Sequence, residues 1–237
     1  MKQSRLVEET IRRRRQNELI LAGRLFREEL ADSVSEEAFY KTLERMCKCG
    51  ELARLAKGTY YLPKKSLFGM VPLPEREIIS AFTKGGKGTV IGYALYNRLG
   101  LTTQIAKTTE ILSCSLDTQT RTIRNVIVRH SPLLFTKAVE EMVHALDVLQ
   151  NVAAIQDLNH AALLAYSQKI AEGFQESVFE EVIEKQRFSK STIAFLQEIL
   201  NYFGKKHSLK THLSTLSTYK YPKMEELYAA AQVSRRV

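Results

Sequence analysis

The sequence predicts an α+β fold in three parts, and three observations carry that expectation. Residues 32–63 read as a capped helix stopped by a glycine and followed at once by a tight hairpin. Residues 88–130 alternate short β-rich runs with one brief helix. From Thr136 onward the apolar spacing is helical throughout. Two prolines, Pro72 and Pro74, bracket a loop between the first two parts. The expected division is 1–68, 69–135 and 136–237, the last part packing on the middle one.

In order along the chain, Ser4 is expected to cap an opening helix running to about Gln16 and carrying Arg12, Arg13, Arg14 and Arg15. Leu19–Leu21 suits a short strand, and Arg24 to Leu30 a second short helix. A third helix begins near Ser33 or Ser35, where Ser33 with Glu36 makes a capping-box pattern, and stops at Gly50. Residues 51–55 and 59–62 form a hairpin turning at Lys57-Gly58, because glycine accepts the positive φ of a tight turn. Pro63 closes the ribbon. A helix joined to a basic-tipped ribbon is the layout of a winged helix-turn-helix domain, which binds duplex DNA.

The middle part begins with a helix from Glu75 to Thr83, its first turn acidic, then a loop at 84–88 and a strand at 89–91. Tyr93 to Leu99 is helical and stops at Gly100. Strands follow at 108–115 and 121–129, the second open to a hairpin turn at Arg124-Asn125. The last part is read as helices near 136–150, 157–171, 175–186, 190–203 and 223–233, with a Lys/Ser/Thr-rich loop from Gly204 to Tyr221.

The net charge of +9 is unevenly spread. Residues 1–68 carry 15 Lys/Arg against 10 Asp/Glu, residues 69–135 carry 8 against 4, and residues 136–237 carry 12 of each. All the basic excess lies in the first 135 residues, which implies a polyanionic partner for that part. No apolar run approaches a membrane span, and acids occupy the place where a signal peptide needs an apolar core, so a cytoplasmic, soluble protein is expected. Cys47, Cys49 and Cys114 are an odd number at no metal-binding spacing, and two of them point apart on one helix.

On the third helix, at 100° per residue, Phe39, Thr42, Leu43 and Met46 share the buried stripe. Glu37, Lys41, Glu44 and Lys48 lie opposite, flanked by Tyr40 and Arg45. If that face enters a major groove, Ser35, Tyr40, Lys41 and Glu44 reach base edges, and Arg45 and Lys48 reach phosphates. The competing reading is an ordinary solvated face, since Glu37–Lys41 and Glu44–Lys48 are both i,i+4 pairs. The ribbon favours DNA: Arg54, Lys57, Gly58, Thr59, Lys64 and Lys65 supply cations and backbone amides around its turn. Of Tyr60 and Tyr61, one is expected to pack on the helices and the other to face the DNA side.

Enzyme motifs are missing. Lys84-Gly85-Gly86-Lys87-Gly88 lacks the P-loop spacing and its Ser/Thr, and it follows a helix rather than a strand. The five histidines are scattered, with His207 and His212 five apart in a loop. No catalytic, cofactor or metal site is expected.

Two blocks carry a family resemblance. The stretch from Phe39 through Lys41, Leu43-Glu44-Arg45-Met46, Gly50-Glu51-Leu52, Arg54-Leu55 and Lys57-Gly58 to Tyr60-Tyr61 and Pro63 resembles the N-terminal winged helix of AbiEi-like antitoxins. Tyr93-Ala94-Leu95-Tyr96-Asn97-Arg98-Leu99-Gly100-Leu101-Thr102-Thr103-Gln104 resembles a second block of that family, and the likeness covers roughly residues 15–150. Ala106 stands where the family often has proline, and Arg124-Asn125 where glycine is common. The resemblance implies an antitoxin of a type IV toxin–antitoxin system of abortive infection. Such a protein represses its own operon by binding promoter inverted repeats in double-stranded DNA. It also opposes a nucleotidyltransferase-type toxin without forming a stable complex with it. The alternative is a stand-alone winged-helix transcriptional regulator whose C-terminal part senses a ligand or partner.

Overall fold

The computed structural model describes residues 2–67 and 69–234 and has a mixed α+β architecture. Helix α1 spans Lys2–Arg12 and buries Val7 and Ile11, one turn apart. It begins before Ser4 and ends four residues short of Gln16, because Asn17 turns the chain. Asn17 takes φ 62°, which its short polar side chain tolerates, and its N–H donates to the Leu62 carbonyl at 2.8 Å. Strand β1 (Leu19–Leu21) leads into α2 (Ala22–Leu25), which widens into a single π-turn over Phe26–Leu30.

Helix α3 spans Glu36–Lys48. Ser35, not Ser33, is its cap, accepting from the Ala38 N–H at 3.3 Å. Val34 just before the cap and Phe39 in the second turn are buried in the same cluster, the arrangement of a hydrophobic staple that decides between the two serines. Gly50 ends the helix at φ 70°, and the Glu51 and Leu52 amides both return to the Met46 carbonyl, so the next strand starts later than residue 51. Strands β2 (Ala53–Ala56) and β3 (Thr59–Tyr61) are antiparallel, and β1 pairs with the other edge of β3, giving the order β1-β3-β2. A second hairpin follows, β4 (Lys64–Ser66) with β5 (Gly69–Val71), where the sequence shows no strand pattern.

Helix α4 (Glu75–Thr83) lies on one face of a second sheet of order β6-β7-β9-β8, formed by Gly88–Ile91, Thr109–Ser113, Val126–His130 and Thr120–Ile123 respectively. Arg124 at φ 52° makes the tight turn between β8 and β9, which folds β9 back to run parallel beside β7. Between β6 and β7 lies α5 (Tyr93–Arg98). The C-terminal half is helical: α6 (Lys137–Asn151), α7 (His160–Gly173), α8 (Glu176–Lys185), α9 (Lys190–Tyr202) and α10 (Met224–Ser234). Thr136, Asn159 and Ser189 cap α6, α7 and α9 through their side-chain oxygens.

Three apolar clusters hold these parts. One joins α1, α2 and α3 to Ile20 and Tyr60. The largest fills the space among α5 to α10 and the sheet residues Ile91 and Leu112. The third lies between the two sheets: Tyr61 and Leu73 are buried with Ile78, Phe82, Ile111 and Val128, and Leu19, Leu21, Ala53 and Leu55 pack against them. The three-stranded sheet is therefore covered on both faces, α1 to α3 on one side and α4 with the β6–β9 sheet on the other.

Candidate nucleic-acid interface

The outer face of α3 presents Glu37, Tyr40, Lys41, Glu44, Arg45 and Lys48, all exposed. Its lysines are paired within the helix: Lys41 Nζ is 2.7 Å from Glu37 Oε1, and Lys48 Nζ 2.7 Å from Glu44 Oε1. These hydrogen bonds hold both carboxyls below their ordinary range and raise both ammonium groups. Arg45 instead leans onto Glu8 of α1, which also takes Arg12 at 3.3 Å, while Arg12 reaches Glu51 at 2.8 Å. Exposed pairs of this kind are weak, screened by water and salt, so a phosphate can displace the carboxylates at little cost. Ser35 is occupied by its capping bond and a 3.4 Å contact with Gln3 Oε1. The Tyr40 ring stands edge-on to Phe39 at 5.1 Å with its outer side in solvent.

Arg54 on β2 is exposed and flanks this face. It lies close enough to Cys47 and Tyr60 to lower both their pKa values, although burial prevails and raises each overall. Lys57 is exposed at the β2–β3 turn. Gly58 has φ 69°, and its carbonyl accepts the Ala22 N–H at 2.9 Å.

Thr59 does not belong to an exposed surface. It is fully buried, and its Oγ1 accepts from Arg121 Nη1 at 3.1 Å. Arg121 also meets Asp117 at 3.1 Å, and Asp117 meets Arg27 at 2.9 Å, so one carboxylate ties the π-turn of the first unit to β8. Those hydrogen bonds and charges lower the Asp117 pKa in spite of its partial burial. Tyr61 likewise faces the second sheet, while Tyr60 packs on the helices. Lys64 is exposed, but on β4 rather than beside the β2–β3 turn. The Lys65 side chain lies outside the described residues.

The structure thus brings the α3 face together with Arg54 and sets Lys57 at the adjoining turn, but it separates Thr59 and Lys64 from them. In the Arg12–Arg15 run, Arg12 and Arg14 are ion-paired, Arg14 with Glu18 and Glu29, whereas Arg13 and Arg15 are exposed. Gly88, in the lysine–glycine loop, serves packing: a Cβ there would stand 2.3 Å from the Leu112 carbonyl oxygen and 2.5 Å from that of Phe82.

Two polar networks beside the second sheet escaped the sequence reading. Thr89 Oγ1 lies 2.6 Å from His144 Nε2 and 2.6 Å from Glu140 Oε1, all between β6 and α6. Burial lowers the His144 pKa to about 4. Asp147 accepts from the Gly92 N–H at 3.0 Å and the Tyr96 hydroxyl at 2.9 Å, and burial raises its carboxyl pKa. The only local signal for either was the i,i+4 spacing of Glu140 and His144. The Asn97–Gln104 block is structural: Asn97 Nδ2 donates to the Thr102 and Gln104 carbonyls at 3.3 Å, and Thr102 Oγ1 donates to the Gln156 carbonyl at 2.6 Å. It fastens the end of α5 to the loop before α7. Among the described residues no cluster of metal-ligating side chains occurs, and no helix is long and apolar enough to cross a membrane.

Residues 7–176 match a family model described as a family of unknown function (DUF6088), and the chain belongs to that family. No curated protein matches it. Among solved structures, the crystal structure of RV2827C protein from Mycobacterium tuberculosis is similar over 92% of this chain and 83% of that one, with 12% identity and a TM-score of 0.45.

Proposed function

We propose that this protein is a winged helix-turn-helix DNA-binding repressor and the antitoxin of a type IV toxin–antitoxin system. What supports the DNA half is the succession α1-β1-α2-α3-β2-β3 with strand order β1-β3-β2, combined with an α3 whose outer face is exposed. Helix α3 enters the major groove. Tyr40, Lys41 and Glu44 meet base edges, and Arg45, Lys48, Arg54 and Lys57 hold phosphates. Binding across promoter inverted repeats occludes the polymerase. The antitoxin half rests on the resemblance of the 39–63 and 93–104 blocks to AbiEi-like proteins. In that reading the chain opposes a nucleotidyltransferase toxin without stable complex formation.

The first test is fluorescence anisotropy with a duplex from the region upstream of the protein's own coding sequence, against a scrambled duplex, over a salt series. Preference for the native duplex is expected, with log affinity falling by about 0.9 per phosphate contact for each tenfold rise in salt. Failure to bind either duplex at low salt refutes the DNA reading. The second test is a growth assay in which an adjacent nucleotidyltransferase gene and this protein are induced separately. Rescue is expected, and unrelieved toxicity at verified expression removes the antitoxin reading.

A further inference from the structure

A cavity of about 280 Å³ opens between α6, α7 and the start of α8. Its walls are apolar: Met142 and Ala145 come from α6, Ile170 from α7, and Phe174 and Val178 from the turn into α8 and its first residues. That volume is at the small end for ligand sites, and such walls suit a compact hydrocarbon body.

The polar groups of the cavity converge on one kind of head group. Tyr166 lines it, and its hydroxyl makes no hydrogen bond among the described residues. Burial raises the Tyr166 pKa, so the phenol keeps its proton and has a donor to offer. Lys169, three residues on, also lines the cavity, and its ammonium forms no ion pair among the described residues. Gln175 precedes α8 without a side-chain capping bond, so the first amides of that ten-residue helix lack a side-chain acceptor where Gln175 and Val178 meet the cavity. Arg98 stands close enough to push the pKa of His144 and Tyr166 downward, against Asp147 and Glu141, which push that of Tyr166 upward. The one acid on the lining, Glu141, is largely exposed and lies 3.9 Å from Lys137.

We propose that this cavity binds a small apolar carboxylic acid, its hydrocarbon body between α6 and α7 and its carboxylate toward Tyr166, Lys169 and the α8 amides. The site is separate from the α3 face, and its test does not depend on DNA binding.

The probe is naphthalene-1-carboxylate, with 1-naphthylmethylamine as the cationic control, added to the full chain and followed by isothermal calorimetry and thermal melting. The carboxylate is expected to bind and to raise the melting temperature, and the amine to do neither. Tyr166→Phe and Lys169→Gln should each weaken binding by roughly three- to tenfold, the range of a single lost hydrogen bond. Gly173→Leu should abolish it by filling the space. Gly173 lines the cavity, and a Cβ there meets nothing within 4 Å, so the fold accommodates the change. Ala138→Leu, on the opposite wall, serves as the second filling variant. The proposal is overturned if wild type shows neither heat nor a melting shift with the carboxylate. It is also overturned if the amine binds as well, or if both filling variants, melting like wild type when unliganded, keep full affinity.

Discussion

His144 makes this protein acid-sensitive in a window that can be worked out from its surroundings. His144 is 8% exposed, and its pKa is lowered to about 4 from an ordinary 6.5, first by burial and further by Arg98, against the opposing pull of Glu140. Between those two values the unfolded chain binds a proton that the folded chain refuses. Stability from this group is therefore complete above about pH 6.5 and drains away as pH falls toward 4. At 1.36 kcal/mol per unit, the loss by about pH 4.5 is roughly 2.5 kcal/mol, a large share of the ~5–15 kcal/mol that holds a domain folded. The perturbation is His144→Gln, which keeps a hydrogen-bonding partner for Thr89 but does not titrate. Urea unfolding followed by far-ultraviolet circular dichroism at about pH 7.5 and about pH 4.5 compares the two proteins. Other titrating groups, Asp147 included, are common to both and cancel in the difference. Wild type should lose roughly 2.5 kcal/mol more than the variant. An equal loss in both would show that His144 is protonated in the folded state, and the buried Thr89–His144–Glu140 account would fail.

Further outcomes follow from the interface and the packing beneath it. The double variant Arg54→Ala with Lys57→Ala should weaken DNA binding alike on all sequences and flatten the salt slope by about two counterions, whereas Tyr40→Ala should change which bases are preferred in a randomised-site selection. Expressed from a foreign promoter, the same double variant should still rescue cells from the toxin; loss of rescue at normal protein level would mean that one surface serves both roles. Asp117→Asn should cost about 1 kcal/mol at neutral pH, since Arg121 and the largely exposed Arg27 lose their shared anion. Because the Asp117 pKa is lowered, wild type keeps that contribution above the ordinary carboxylate range and loses it only as pH falls through the folded value. A fragment ending at Leu73 should melt at lower temperature than the full chain or aggregate, because it bares Leu19, Leu21 and Tyr61. A fragment that melts like the full chain by calorimetry would show that the contact between the sheets adds nothing.

The elements whose causes are local are legible in the residues alone. Helices α4 to α9 fall within three residues of their expected bounds, because each is marked by a cap, a glycine stop or an apolar stripe that neighbouring residues supply. The charged face of α3 was legible for the same reason: a 100° periodicity needs no knowledge of what packs elsewhere. Ser35 over Ser33 was a near choice that burial of Val34 decided. The short strands were harder. β3 has only three residues and is buried on both faces, so it shows no alternation to separate a wing from a core strand. That is why Thr59, and one of Tyr60 and Tyr61, are expected near DNA from the sequence, whereas Thr59 and Tyr61 face the second sheet and Tyr60 packs on the helices. Where each polar group finds its partner depends on how distant elements pack together. Thr59 meets Arg121 across 62 positions, Thr89 meets His144 across 55, and Asp117 meets Arg27 across 90. Nothing in the residues around either partner encodes such a meeting. It arises when sheets and helices with apolar faces close on one another and each buried polar group must find a hydrogen bond or bear the cost of desolvation.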